Sequence, residues 1–202
     1  MLGRKFGVED LRVLLFLLIF VAMKAVFLIG YMGCGKTTLG EPLARLMGRR
    51  FVDLDLYIEG CCGMSAKEIF AVHGEAYFRR LERESLKEIA ASGGDVVVAC
   101  GGGTPLHRGN MALMNRVGIT VWLTTNVDRI TSRLVLPDQR SKRPLLNELT
   151  DEQIRASVIE GLEARKDFYS KAQLQFDSTL LESVEEIEAT AQRLTAILQP
   201  IV

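Results

Sequence analysis

Residues 25–38 read A-V-F-L-I-G-Y-M-G-C-G-K-T-T. The apolar run Ala25 to Ile29 is followed by glycines at Gly30, Gly33 and Gly35, and then by leucines at Leu39, Leu43 and Leu46 in helical spacing. Strand, glycine loop and helix in that order give the pattern G-x-x-x-x-G-K-T over Gly30 to Thr37 the context a phosphate-binding loop requires. The glycines let the backbone turn tightly and present N–H groups to oxyanions, and the helix behind them adds the positive end of its dipole. Lys36 is expected to reach the β and γ phosphates of a nucleoside triphosphate, and Thr37 to offer its hydroxyl to magnesium.

The pattern repeats outward from this unit. Phe51-Val52-Asp53-Leu54-Asp55 reads as a second strand with carboxylates at its far end. Ser65 with Glu68 is a capping box opening a helix through Val72, and a longer helix runs from about Glu75 to Ser92 with Phe78, Leu81, Leu86 and Ile89 as its apolar side. Asp95 to Cys100 is a strand whose core Val96-Val97-Val98-Ala99 is apolar throughout, as expected of one covered on both faces. A helix over about Arg108 to Val117, a strand at Ile119 to Leu123 and a helix over about Val127 to Leu136 follow. Pro137 to Asn147 reads as an irregular loop. Thr150 with Gln153 caps a helix to about Tyr169, Leu174 to Phe176 is a last strand, and Ser183 with Glu186 caps a helix to Leu198. Alternating strands and helices imply an α/β fold: a parallel sheet with helices on both faces and ligands beyond the carboxyl ends of the strands.

With 202 residues, 25 basic against 25 acidic side chains and 48% hydrophobic residues, the chain fits one globular unit with a sizeable core. Balanced charge gives no broad attraction to a polyanion, so nucleic acid is not an expected partner. Cys34, Cys61, Cys62 and Cys100 have no metal-ligand spacing and read as reduced thiols of a cytoplasmic protein. Residues 1–22 stand outside the pattern: the apolar run Val13 to Met23 is too short to span a bilayer, and Met23-Lys24-Ala25-Val26 reads as a natural start. Residues 23–202 are then the functional unit, with a lid over about 137–147, acting as a monomer without a membrane.

Phosphoryl transfer needs a gripped γ-phosphate, neutralised charge, an acceptor oxygen held in line and excluded water. Asp53 and Asp55 divide magnesium binding and acceptor contact between them. Arg79 and Arg80 face about 100° apart on a helix, so only one points into the crevice. Gly101-Gly102-Gly103 allows backbone to approach a ligand closely. Arg140, Lys142 and Arg143 sit in a segment resembling a lid that brings cations onto the transferring phosphate. His73 and His107 read as structural or surface residues.

The loop G-Y-M-G-C-G-K-T-T-L-G, the strand end F-V-D-L-D-L-Y-I-E, the helix start H-G-E-A-Y-F-R-R-L-E, the turn G-G-G-T-P and the lid S-K-R-P-L-L resemble the shikimate kinases in order and spacing, over nearly all of Lys24 to Leu198. The resemblance implies a five-stranded parallel sheet in a three-layer P-loop kinase fold, and ATP-dependent phosphorylation of the 3-hydroxyl of shikimate. It assigns ATP to Gly33, Cys34, Gly35, Lys36, Thr37 and Thr38; magnesium to Thr37 and Asp53; and the 3-hydroxyl and its proton to Asp55. Arg79 and Arg165 grip the carboxylate of shikimate, Gly101, Gly102 and Gly103 line its site, and Arg143 stabilises the transferring group alongside Lys36. Arg140 is placed against adenine or solvent. Ala99 and Cys100 depart from the family pattern, leaving no hydroxyl there to support magnesium. Two other readings compete: a gluconate or other small-metabolite kinase on this fold, and a nucleotide-dependent switch. The Asp53-x-Asp55 pair and two separated arginines suit a hydroxylated carboxylic acid ring better than gluconate, and a switch has no need of Asp55, Arg79 and Arg165 at one crevice.

Overall fold

The computed structural model describes residues 24–141 and 144–202, without the side chains of 141, 144 and 145. The extension over 1–22, the start at Met23, and Lys142 and Arg143 of the lid lie outside the described residues.

Five strands form one parallel sheet: β1 (Ala25–Ile29), β2 (Arg50–Asp53), β3 (Val96–Ala99), β4 (Gly118–Thr124) and β5 (Leu174–Asp177), in the order β2-β3-β1-β4-β5. The three central strands are apolar because both of their faces are covered. Side chains alternate along them, so Phe27, Ile29, Val96 and Val98 enter one core while Val26, Leu28, Val97 and Val121 enter another. The helix after β1, α1 (Lys36–Met47), packs Leu39, Leu43 and Ala44 on the second core together with the last helix.

The chain after β2 runs through α2 (Leu54–Cys62), α3 (Ala66–His73) and α4 (Glu75–Ala91), all on the first face. After β3 comes a 3₁₀ turn at Thr104–Leu106 and α5 (Asn110–Val117), whose Met111, Leu113 and Met114 also join the first core. The connections that leave β1 and β3, neighbours in the sheet, therefore depart to opposite faces. That divergence opens a crevice at the carboxyl ends of these strands.

Beyond β4 lie α6 (Val127–Leu134), α7 (Pro137–Ser141), α8 (Pro144–Asn147), α9 (Asp151–Glu163) and α10 (Lys166–Tyr169); α11 (Val184–Leu198) closes the chain. The capping boxes at Ser65 with Glu68 and at Thr150 with Gln153 form as expected. At α11 only half of the motif does. Ser183 accepts from Glu186 N–H, but the Glu186 carboxylate reaches back to Glu182 N–H at 2.8 Å.

Three expectations need correction. The second strand stops at Asp53, because its carboxylate caps α2 by accepting from the N–H groups of Asp55 and Leu56; Asp55 is thus in a first helical turn and not on a strand. The segment 137–147 is not irregular throughout. Pro137 and Pro144 each open a short helix, the position where a missing N–H and fixed φ cost nothing. The helix from Thr150 does not continue to Tyr169: it ends at Glu163, and Arg165 at φ −109°, ψ −7° starts a separate turn that brings Tyr169 fully inside. Among the described residues no helix is long and apolar enough to cross a membrane.

Candidate active site

A cavity of about 730 Å³ occupies the crevice, lined by Lys36, Thr37, Thr38, Asp53, Asp55, Gly101 and Gly102 among others. The loop after β1 forms its phosphate end. Gly35 caps α1 at φ 91°, ψ 23°, a left-handed conformation open to glycine, and a side chain there would also strike Leu181. The Lys36 ammonium donates to the carbonyls of Gly30 and Tyr31, both at 2.9 Å, and to the Cys34 sulfur at 3.8 Å, a weak acceptor that an anionic ligand would readily replace. Thr37 Oγ1 donates to Asp53 Oδ2 at 2.8 Å, while the other Asp53 oxygen caps α2.

Cys34 and Cys100 are buried, and all four cysteines are free thiols. Burial pushes the Cys100 thiol up, and its sulfur lies 3.7 Å from Met114 Sδ, so this departure from the family pattern is a packing residue.

Asp55 stands on the floor of the cavity. Burial, reinforced by the carboxylates of Glu82 and Asp53 and opposed by Lys36 and Arg79, pushes its pKa up to about 6. Its Oδ1 is buried with no hydrogen-bond partner among the described residues, and a Cβ on Gly101 would fall 2.8 Å from that oxygen. A buried, underbonded carboxylate facing a polar cavity is costly unless a ligand completes it.

Arg79, and not Arg80, turns toward the crevice. Its guanidinium bonds Glu82 Oε2 at 2.7 Å and Glu75 Oε1 at 3.0 Å, with the rings of Phe70 and Phe78 about it at 6.0 and 5.8 Å. Burial works against its charge, but the two carboxylates outweigh burial and raise its pKa. Gly103 packs against this guanidinium: a Cβ there would fall 2.5 Å from Nη2. Arg80 instead lies over Tyr77, exposed. Arg165 is half-buried, its guanidinium carbon 4.9 Å from the centre of the Tyr31 ring. Arg140 faces the root of the lid. It pairs with Asp151 and donates to the Leu149 carbonyl at 3.4 Å, and its Nε is buried without a partner among the described residues. His73 stacks beside Tyr77, away from these groups.

Several residues of the site gave no sequence signal. Glu82 is fully buried in α4, bonded to both Arg79 and the Thr104 hydroxyl, so it ties the substrate-side arginine to the glycine turn. Arg133 of α6 lines the cavity and clamps the phosphate loop, donating to the Gly33 carbonyl at 3.0 Å, to the Thr179 carbonyl at 3.0 Å and to Glu182 at 2.8 Å. Tyr169 is buried and donates to the Gly102 carbonyl at 2.7 Å; burial pushes its phenol up, keeping it a donor. A helical Glu or Arg reads in sequence as a solvated charge, and only the closeness of Glu82 to the F-R-R motif hinted at more.

The crevice can therefore hold polyphosphate at one end and a small hydroxylated anion at the other, with a carboxylate between. Comparison with known proteins agrees. The family model described as shikimate kinase matches residues 32–198. The chain is 43% identical to a shikimate kinase of Parabacteroides distasonis over 176 residues, covering 87% of this chain and 100% of that protein, and 42% identical to one of Bacteroides thetaiotaomicron over 88% of this chain and 99% of that one. The solved structure of the Bacteroides thetaiotaomicron shikimate kinase superposes with a TM-score of 0.80 at 41% identity, covering 88% of this chain and 99% of that chain. A shikimate kinase of Acinetobacter baumannii, solved in complex with shikimate, gives 0.76 at 30% identity, covering 90% and 96%.

Proposed function

The chain belongs to the shikimate kinase family, and from that premise we propose how its crevice works as an ATP:shikimate 3-phosphotransferase. The enzyme phosphorylates shikimate at the expense of ATP, a step toward aromatic amino acids. The observation that carries our assignment of roles is Asp55: a buried carboxylate with an unpartnered oxygen, between a phosphate-loop lysine and an arginine held for an anion.

In this reading Lys36 and the N–H groups of Gly33 to Thr38 hold the ATP phosphates. Arg79 and Arg165 receive the carboxylate of shikimate, a planar anion that suits two guanidinium forks. The acceptor 3-hydroxyl then lies against Asp55, which orients it and takes its proton as the oxygen bonds the γ-phosphorus and ADP departs. Gly101, Gly102 and Gly103 border the carbocyclic ring of shikimate; Glu82, Thr104 and Tyr169 keep that turn and Arg79 in place. Arg143 of the lid supplies positive charge to the transferring group, and Arg140 belongs to ATP through the lid.

Thr37 Oγ1 and Asp53 Oδ2, two oxygen donors in contact beside the phosphate loop, fit a hard cation such as magnesium. When bound, magnesium would neutralise charge on the β and γ phosphates. A monomeric cytoplasmic enzyme with no nucleic-acid or membrane partner completes the proposal. Phosphorus NMR of the product from ATP and shikimate tests the regiochemistry: coupling to the ring proton at C3 is expected, and coupling at another carbon would overturn the assigned pose.

A further inference from the structure

Two cations assigned above to different substrates meet at one residue of the phosphate loop. The backbone carbonyl of Tyr31 accepts from Lys36 Nζ at 2.9 Å. The ring of the same residue carries the Arg165 guanidinium, with Cζ 4.9 Å from its centroid. The ring is fixed in place. It is buried, its hydroxyl donates to the Ser157 carbonyl of α9 at 3.3 Å, and Gly161 one turn further along leaves the space it fills, since a Cβ there would fall 2.4 Å from the hydroxyl oxygen.

Arg165 and Arg79 are held by different means. Arg79 has two carboxylate partners, whereas no carboxylate among the described residues forms an ion pair with Arg165. A π-face attracts a cation without occupying its N–H donors, so beside the one directed at the Tyr169 hydroxyl the guanidinium keeps donors for the two oxygens of a ligand carboxylate. The backbone of Arg165 is held at the junction of α9 and α10, its N–H donating to the Leu162 carbonyl at 3.2 Å and its carbonyl accepting from the N–H groups of Phe168 and Tyr169, so it is the long side chain that needs a guide.

We propose that Tyr31 is a positioning residue for the acceptor, its ring holding the Arg165 guanidinium toward the acceptor's carboxylate from within the phosphate loop. This rests on the assignment of Arg165 to that carboxylate. The contact needs the ring and not the hydroxyl.

Steady-state kinetics with shikimate and ATP on the full chain, together with the Kd of a non-hydrolysable ATP analogue, tests it. Tyr31→Leu is expected to raise the KM for shikimate about fivefold to tenfold, the range of a partly buried cation–π contact, with kcat and the analogue Kd within about twofold. Tyr31→Phe is expected to bring that KM back to within about twofold of the unsubstituted chain. The analogue Kd also reports that the substituted loop has folded. An unchanged shikimate KM in Tyr31→Leu overturns the proposal, as does a loss spread equally over kcat and analogue binding, which would mark general damage to the loop. Arg165→Ala separates this claim from the one beneath it. A shikimate KM within about twofold in Arg165→Ala overturns the assignment of Arg165 itself. A large rise there with none in Tyr31→Leu overturns the role of the tyrosine alone. In the double variant the two effects are expected not to add, because each removes the same hold.

Discussion

Asp55 is held in a state that favours catalysis at the expense of folding. Its pKa rises from the ordinary 3.8 to about 6, so between these values the folded chain binds a proton that the unfolded chain has released. Stability from this group is full below about pH 4 and lost as pH rises through about 6, leaving a penalty on the order of 3 kcal/mol at neutral pH. Asp55→Asn should therefore lower turnover by about a hundredfold or more with ATP affinity kept, and at the same time raise the melting temperature by several degrees at pH 7.5 in chelator-containing buffer. Calorimetry at pH 4.5 should find most of that gain gone. Glu82 makes the opposite case. Its carboxylate is fully buried and joins Arg79 to Thr104, so Glu82→Gln removes the counter-charge of an arginine that must stay aimed. We expect stability to fall by about 2 kcal/mol in urea titration, and the shikimate KM to rise about tenfold with a smaller change in kcat. Asp55 was legible from its motif, but Glu82 was not: in R-R-L-E-R-E it looks like any solvated helical carboxylate, and its burial is decided by Thr104 arriving from another part of the chain.

Elements were legible where the local signal is also the physical cause. The run Ala25 to Ile29 is apolar because it is the central strand, and Ser65 and Thr150 read as caps because their hydroxyls satisfy N–H groups three residues on. The failures have physical reasons too. Asp53 caps a helix that begins inside an apparent strand, so the step from period two to helix fell one residue before Asp55. The segment from Pro137 to Asn147 lacks an apolar period, yet Pro137 and Pro144 each start a short helix within it. The break at Arg165 has no sequence mark; it follows from Tyr169 being drawn inside to meet Gly102. Gly161 shows how tertiary contact overrides propensity. In an isolated helix Gly161→Ala would stabilise by about 1 kcal/mol. Here its Cβ would collide with Tyr31, so the substitution should destabilise by about 2 kcal/mol, as read by the urea midpoint. A gain in stability would mean that Tyr31 is not seated against α9.

At the scale of the molecule, the phosphate loop after β1 and the glycine turn after β3 face each other because the connections leaving these neighbouring strands go to opposite sides of the sheet. Alternation of strands and helices, together with one diagnostic loop, is enough to place that crevice from the sequence. The distribution of charges inside it was not, since Arg133 and Glu82 arrive from helices whose orientation the sequence leaves open. The shikimate kinase family model matches residues 32–198, all of them C-terminal to Met23. A chain begun at Met23 is therefore expected to fold, with kcat/KM for shikimate within about twofold of the full chain. The central claim is that one end of this crevice is built for a hydroxylated ring carboxylate. It is tested most directly by ADP release from ATP and magnesium with shikimate and with gluconate as alternative acceptors. The account predicts turnover with shikimate and a rate near background with gluconate; comparable turnover with gluconate, or none with shikimate, would contradict it.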